Sequence, residues 1–371
     1  MKVQKIATIA GERYILLDET FKPIYTINKF IKYLDNIGKS PNTQKSYAYD
    51  LLLYYRFLVE NKLSILEIFE VDGKGPIDIL SDFVLWLQYP DYHNGVIHID
   101  GEPAKRSNVT VNHIMNSVLE CYRYLAMNKE VPKLDAYRWN KRMRNVKGFL
   151  SEMMHRKVKV QSSIFKKTVP PRFVQAITRE QYWILYKACN LRRDKLCIAL
   201  MYEGGLRLNE MLGIHLEDLE NIEDNVIKIV ARDNNENGAR VKNIAEGSIG
   251  VPSYVVELLL AYLSEDLEAY NTNYLFVNME GNTAGKPLKA WTVQKMLVRL
   301  SKKVGFYVHA HMFRHGFAQE KLDAGWELFK IQSCLRHKNP TSTEMYCQFK
   351  EEAVIEAMKT FLDRRVNGNE K

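Results

Sequence analysis

Two arginines, two histidines and a tyrosine in the C-terminal half have the types and order that phosphoryl transfer requires. His311-Met-Phe-Arg314-His315 sets an imidazole and a guanidinium three residues apart, on one face if the segment is helical. Leu335-Arg336-His337 follows, and then Tyr346. Upstream, Leu206-Arg207-Leu208-Asn209-Glu210 comes directly after Gly204-Gly205, a glycine-opened turn that presents an arginine with a carboxylate one turn on to hold it. Arginine matches phosphate oxygens bidentately. A pair of arginines on one phosphate would offset the charge that grows on its equatorial oxygens in the transition state, and Arg207 and Arg314 are the pair expected. Tyr346 would be the nucleophile, but a phenol of ordinary pKa, about 10, needs a neighbouring imidazole or guanidinium to activate it. Taken singly, an arginine at a helix start, an HxxR pair or a lone tyrosine is an ordinary surface or core residue. Their order carries the reading.

The elements expected to hold these residues alternate between helix and strand. Thr178-Arg-Glu-Gln181 has the form of a capping box, and 193–202 is apolar enough for a buried helix, closed by Gly204-Gly205. Strands are predicted at 226–230, 240–244 and 249–251. Asn237-Gly238 is a hairpin signal between the first two, and Glu246-Gly247 separates the last two. Helices are expected at 252–264 and 290–303, then one through Arg314 to Ala324-Gly325, then 326–334. Thr341-Ser-Thr-Glu344 would cap a further short helix that aims Tyr346. Beyond it Val354, Met358, Phe361, Leu362 and Val366 form an amphipathic stripe, to pack on its own domain or on a neighbouring copy.

The N-terminal half reads differently. Residues 1–22 are short β-prone pieces around Ala10-Gly11-Glu12: a small sheet appendage that either contacts DNA or serves as a packing flap. From 23 to 137 the pattern is helical. Ser40-Pro41-Asn42-Thr43 is a cap with proline at the first helical position, and Tyr47, Leu51, Tyr55 and Leu58 make an apolar stripe behind it. Thr43, Gln44 and Lys45 stand where a helix start grips phosphate, or on an ordinary solvated face. Helices are also expected at 77–88 and 107–127, the second with Val111, Ile114, Val118, Cys121 and Leu125 on one face, and 89–104 reads as a polar loop. Residues 138–172 carry eleven Lys and Arg against Glu152 alone, with Trp139, Phe149 and Phe165 interleaved. They read as a basic linker, either tracking phosphates through residues such as Lys157, Lys159, Lys166 and Lys167 or acting as a solvated tether. The catalytic domain then spans 173–371.

Composition agrees with a polyanionic partner: 53 Lys and Arg against 44 Asp and Glu give a formal charge of 53 − 44 = +9 over 371 residues. That length suits two domains. The five cysteines are scattered and form no CxxC, so neither a disulfide framework nor a metal site is expected. No apolar run is long enough to span a bilayer, and a cytoplasmic, non-membrane protein is expected.

The string Gly205-Leu206-Arg207-Leu208-Asn209-Glu210, then His311-x-x-Arg314-His315, Ala324-Gly325, Leu335-Arg336-His337 and, nine residues beyond His337, Tyr346 resembles the tyrosine recombinase (phage integrase-like) family. The resemblance covers the whole second half, and the first half looks like that family's helical core-binding domain. It implies a mostly α fold with a small β-sheet: a core-binding DNA domain and a mixed α/β catalytic domain. It also implies a DNA strand transferase that needs no metal, nucleotide or other cofactor, consistent with the lack of a GxxxxGK[ST] loop. Tyr346 would form a 3′-phosphotyrosyl link and free a 5′-hydroxyl, Arg207 and Arg314 would hold the phosphate, His311 would assist proton transfer at the tyrosine, and His337 would bond the phosphate. The family's hairpin lysine, general acid toward the leaving oxygen, would be Lys242, with Arg232 and Arg240 as rivals. Double-stranded DNA would be the partner, with a tetramer in the synaptic complex, the C-terminal stripe docking on a neighbouring protomer, and accessory DNA-binding proteins as further partners. The segment 233–242 and Lys39-Ser-Pro-Asn-Thr43 are also similar to tyrosine-type transposases of Gram-positive mobile elements. A type IB topoisomerase-like enzyme and a catalytically inactive DNA-binding factor are the competing expectations.

Overall fold

Ser40 and Pro41 open a 20-residue helix for two local reasons: the Ser40 hydroxyl accepts from the Thr43 N–H at 3.2 Å, and Pro41 occupies a position whose N–H would have no helical partner. The computed structural model describes residues 1–8, 11–90, 104–143, 157–170, 175–232, 234–241 and 246–336, with backbone alone for 140–143 and 157–160. The chain divides into two units, Met1–Pro171 and Arg172–Lys371.

In the first unit, strands β1 (Lys2–Thr8) and β2 (Gly11–Leu17) pair antiparallel from Lys2↔Leu17 to Thr8↔Gly11. Four helices follow: α1 (Tyr25–Asn36), α2 (Pro41–Glu60), α3 (Pro76–Gln88) and α4 (Asn108–Met127). The predicted stripe of α4 is buried throughout, from Val111 to Leu125, and meets Leu51, Tyr54, Phe57 and Leu58 of α2 and Phe83 of α3. Where the two long helices meet, the Tyr54 and Tyr122 hydroxyls lie 2.6 Å apart, and Tyr122 donates to the Ile65 carbonyl at 3.1 Å. β2 lays Tyr14 and Leu16 into the same core, so one face of this strand is packed on the helices.

The basic stretch expected as a linker contains regular structure. Strands β3 (Tyr137–Met143) and β4 (Lys157–Ser163) pair antiparallel from Tyr137↔Ser163 to Met143↔Lys157. The physical reason lies in Lys157-Val-Lys-Val160, a period-two run with β-branched residues at alternate positions, whose charge hides its strand character. Past β4, the Asn112 side chain in α4 accepts from the Lys167 N–H and donates to the Lys167 carbonyl, tying this stretch to the helical unit.

The second unit is built around α6 (Arg192–Glu203), whose residues 196–202 are all buried. Against it pack α5 (Arg179–Ala188), α8 (Ser253–Tyr262) and α10 (Ala310–Asp323). The short α7 (Leu208–Leu212) and α9 (Ala290–Val304) extend the layer, and α11 (Leu328–Cys334) packs on α10 through Phe317, Ile331 and Leu335. The capping box at the start of α5 forms as expected: Gln181 N–H donates to Thr178 Oγ1 at 3.2 Å, and Thr178 N–H to Gln181 Oε1 at 3.1 Å.

The strand reading of this unit needs one correction. β5 (Val226–Ile229) pairs with β6 (Gly247–Gly250), from Val226↔Gly250 to Ile229↔Gly247, whereas of the strand predicted at 240–244 Arg240 and Val241 form no strand and the remainder lies outside the described residues. The Asn237 amide instead donates to the Leu212 and Leu288 carbonyls, and its oxygen accepts from the Ala239 N–H. Asn235 donates to the Ala239 carbonyl, and the Tyr274 hydroxyl accepts from the Glu236 N–H. These bonds hold 235–239 as a packed loop, outcompeting the local hairpin preference. The fold is thus mostly helical with small antiparallel sheets, and no helix among the described residues is long and apolar enough to cross a membrane.

Candidate active site

The site begins where α6 ends. After Glu203, Gly205 takes a left-handed conformation (φ 60°), and a Cβ there would stand 2.8 Å from the Phe317 ring and 3.2 Å from Leu335. Only glycine lets the turn pass so close to α10 and the end of α11. The turn buries Leu206 and delivers Arg207 in extended conformation as the residue before α7. Glu210, one turn on, accepts from the Arg207 N–H at 3.0 Å and is ion-paired to its guanidinium.

Arg314 reaches the same carboxylate from α10. Its side chain is fully buried, donating to the Gly205 carbonyl at 2.6 Å, to Glu210 Oε2 at 3.3 Å and to the Leu335 carbonyl. One guanidinium therefore ties together the turn before Arg207, the carboxylate that holds Arg207, and the end of α11. Arg336 is the third cation: it donates to Glu210 Oε2 at 2.8 Å and to the Cys334 carbonyl at 3.1 Å. Burial works against ionisation of Glu210, yet Arg314, Arg336 and the Arg207 N–H and guanidinium together hold its carboxyl below the ordinary range. A buried carboxylate encircled by guanidiniums orients cations that can then face an anion.

His311 lies in the first turn of α10, exposed, with its ring 4.3 Å from that of buried His315 at 77°. The helix is capped by His309, whose Nδ1 accepts from the His311 N–H at 3.2 Å and whose pKa burial pushes down. α10 is in turn fixed to α6 by a polar network. Arg179 is ion-paired with Glu203 and Glu320, Tyr202 donates to Glu320 at 2.9 Å, Tyr254 donates to Glu203 at 2.7 Å, and the Tyr182 and Tyr254 hydroxyls lie 2.8 Å apart. Glu203 precedes the glycine turn and Glu320 lies on the helix that carries Arg314, so this network fixes both arginine-bearing elements to one frame.

The structure brings Arg207 and Arg314 together as expected and places His311 one turn before Arg314 on the same helix. Lys242, His337 and Tyr346, with the 341–344 cap and the 354–366 stripe, lie outside the described residues. Of the rivals to Lys242, Arg232 is held by two bonds to Asp218, at 2.7 and 2.8 Å, and one to Glu217 at 2.6 Å, whereas Arg240 is exposed. An arginine locked between two carboxylates is a poor proton donor, so Arg232 leaves the field.

In the first unit, Gln44 is buried, donating to Asp35 Oδ1 and to the Lys39 carbonyl, both at 2.9 Å. It closes the turn before α2 and is not presented to a phosphate, which corrects that expectation. Thr43 is half-buried, its hydroxyl 3.0 Å from that of Ser40, while Lys45 is exposed. Lys166 is exposed too, whereas Lys167 bonds the Gln88 side chain. Lys157 and Lys159 lie on β4. Sequence reasoning did not assign Arg336 or the Arg179–Glu203–Glu320 network. An arginine beside His337 was a visible signal for the first. Nothing in the spacing of the second marks it, because its members come from three helices.

The sequence profile described as the phage integrase family matches residues 175–353. Transposase A from transposon Tn554 of Staphylococcus aureus is 35% identical over 372 residues, covering 98% of this chain and 99% of that protein. Tyrosine recombinase XerA of Thermococcus onnurineus is 24% identical, covering 90% and 94%. Among solved structures, the Tn1549 transposon integrase in complex with circular intermediate DNA superposes with a TM-score of 0.59 at 17% identity, covering 90% of this chain and 98% of that one, a likeness of fold. With its arginines, histidine and buried glutamate in the arrangement described and a full-length relative at that identity, the chain belongs to the phage integrase family of tyrosine recombinases.

Proposed function

We propose that this chain is a site-specific recombinase and transposase that cuts and rejoins double-stranded DNA to integrate and excise a mobile element. The observation that carries the reading is the convergence of Arg207 and Arg314 on buried Glu210, beside an exposed imidazole, in a chain similar along its whole length to a transposase. The Tyr346 oxygen attacks the scissile phosphorus, forming a P–O bond to the tyrosine as the bond to the 5′-oxygen breaks. His311 takes the tyrosine proton, Lys242 gives a proton to the leaving oxygen, His337 bonds a phosphate oxygen, and Arg207 and Arg314 stabilise the negative charge that builds on the phosphoryl group. The phosphotyrosine retains the ester energy, so a second strand's 5′-hydroxyl reverses the step with no added cofactor. Thr43, Lys45, Lys157, Lys159 and Lys166 supply phosphate contacts from the first unit, and a tetramer, assisted by accessory DNA-binding proteins, assembles two sites for exchange.

A nicked duplex carrying the element's own end tests the chemistry, because loss of the short 5′-hydroxyl strand traps the covalent adduct. The unaltered chain is expected to form the adduct and Tyr346→Phe to form none; an adduct that survives that substitution refutes the nucleophile assignment. With a 5′-phosphorothiolate, whose sulfur leaves without a proton, Lys242→Ala should recover cleavage. Failure to recover moves the acid elsewhere, Arg240 being the next residue to examine. Relaxation of supercoiled plasmid at any sequence, with no joined product, would identify a topoisomerase instead.

A further inference from the structure

Three guanidiniums share one carboxylate in this site, and one of them has no part in the chemistry described so far. Arg336 donates to Glu210 Oε2 at 2.8 Å, closer than Arg314 at 3.3 Å on the same oxygen, while the Arg207 N–H occupies that oxygen at 3.0 Å. Its backbone is left-handed (φ 52°), a conformation that disfavours a residue with a Cβ. Its side chain is buried, its stem runs beside Gly247 at the start of β6, where an added Cβ would lie 3.3 Å from the Arg336 Cδ, and its second nitrogen is held by the Cys334 carbonyl. A strained, buried and doubly anchored arginine is too constrained to reach out to DNA, and it directly precedes His337.

We infer that Arg336 is a positioning residue: it supplies the charge that satisfies Glu210, leaving Arg207 and Arg314 to face the scissile phosphate, and it pins the backbone entering His337 to that same carboxylate. The charge count shows why a third cation matters. Arg207, Arg314, Arg336 and Glu210 together carry 3 − 1 = +2, whereas without Arg336 the cluster carries 2 − 1 = +1 and the carboxylate draws the other two guanidiniums onto itself. The loss should therefore appear as weaker stabilisation of phosphate charge, not as weaker DNA binding.

This inference rests on the recombinase reading. Its test uses the full chain, the nicked element-end duplex, and the same duplex with a methylphosphonate, which carries no charge on the non-bridging position, at the scissile site. Arg336→Gly relieves the left-handed backbone and removes the charge; Arg336→Lys keeps the charge. On the phosphodiester, Arg336→Gly is expected to slow adduct formation by about a hundredfold with DNA affinity unchanged, and Arg336→Lys by less than about tenfold. On the methylphosphonate, the gap between the unaltered chain and Arg336→Gly should shrink to about threefold, since there is less charge to stabilise. An equal loss on both substrates overturns the charge role, as does a glycine variant that cleaves the phosphodiester at the unaltered rate. Loss of folding in both variants, read by thermal unfolding, makes Arg336 a purely structural residue and also overturns it. No adduct from the unaltered chain would overturn the recombinase reading itself, an outcome distinct from these.

Discussion

At the scale of single residues, Arg207 and Arg314 look equivalent in sequence and differ in the structure. Arg207 is partly exposed and paired with Glu210, whereas Arg314 is wholly buried and bonds two backbone carbonyls as well as that carboxylate. Arg207→Ala should therefore leave the fold intact and DNA binding unchanged while reducing adduct formation by about a hundredfold or more. Arg314→Ala leaves Glu210 short of a partner, a change that typically costs about 3–5 kcal/mol in a buried pair, against a whole-domain stability of about 5–15 kcal/mol. Its loss of activity should come with a lowered melting temperature, which calorimetry of both variants separates. Equal thermal stability for the two would refute the distinction. Glu210 itself makes stability depend on pH. Its folded-state pKa lies below the ordinary 4.5, so the stabilisation is fully present above that value and is lost as pH falls through the depressed pKa. The unaltered chain should melt higher than Glu210→Gln at neutral pH, with the gap narrowing as pH falls below the ordinary 4.5 and through the depressed pKa. A gap that stays constant into acid would show that the carboxylate's charge does not stabilise the fold. The sequence revealed the arginines, the histidine and even Glu210 as a local holder, because those depend on spacing along one turn. Arg336 and the Arg179–Glu203–Glu320 network stayed hidden, because they form only when residues distant in the chain meet.

At the scale of elements, the helices and the N-terminal β1–β2 pair were legible, and the partner of β5 was not. The α2 and α4 stripes and the Thr178 cap follow from periodicity and side-chain chemistry within a few residues. β5 instead finds β6, because Asn237 serves distant carbonyls of Leu212 and Leu288, a choice that tertiary packing makes. The element on which the site depends most is the turn joining α6 to α7. Gly205→Ala would put a Cβ against Phe317 and Leu335 and force a left-handed alanine. Backbone strain of about 1–2 kcal/mol and overpacking of about 1–3 kcal/mol should together lower the melting temperature by about 5–15 °C. The Gly205 carbonyl also receives Arg314, so residual folded protein should cleave slowly even well below its melting point. Full activity in the folded fraction would show that the turn serves stability alone.

At the scale of the whole molecule, the +9 charge is not spread evenly in its consequences. Several of the basic residues serve the fold: Arg179, Arg193, Arg232 and Arg314 are in ion pairs, and Lys167 bonds Gln88. What remains for a polyanion is the exposed set, including Lys45 and Lys166 in the first unit. Binding that releases counterions weakens with salt in proportion to the phosphates neutralised, with a slope of about 0.9 per contact on a logarithmic plot. Lys45→Gln and Lys166→Gln should each weaken duplex binding and lower that slope by about 1, with no change in melting temperature. Lys167→Gln should do the reverse, altering stability through Gln88 and the packing of 163–168 while leaving the slope alone. Gln44→Ala belongs with Lys167, since its amide is spent on Asp35 and the Lys39 carbonyl. Fluorescence anisotropy across a salt series, paired with thermal unfolding of each variant, sorts the four. A slope that falls for Lys167→Gln and not for Lys166→Gln would mean that the DNA path crosses the first unit on a different face from the one these exposed lysines mark.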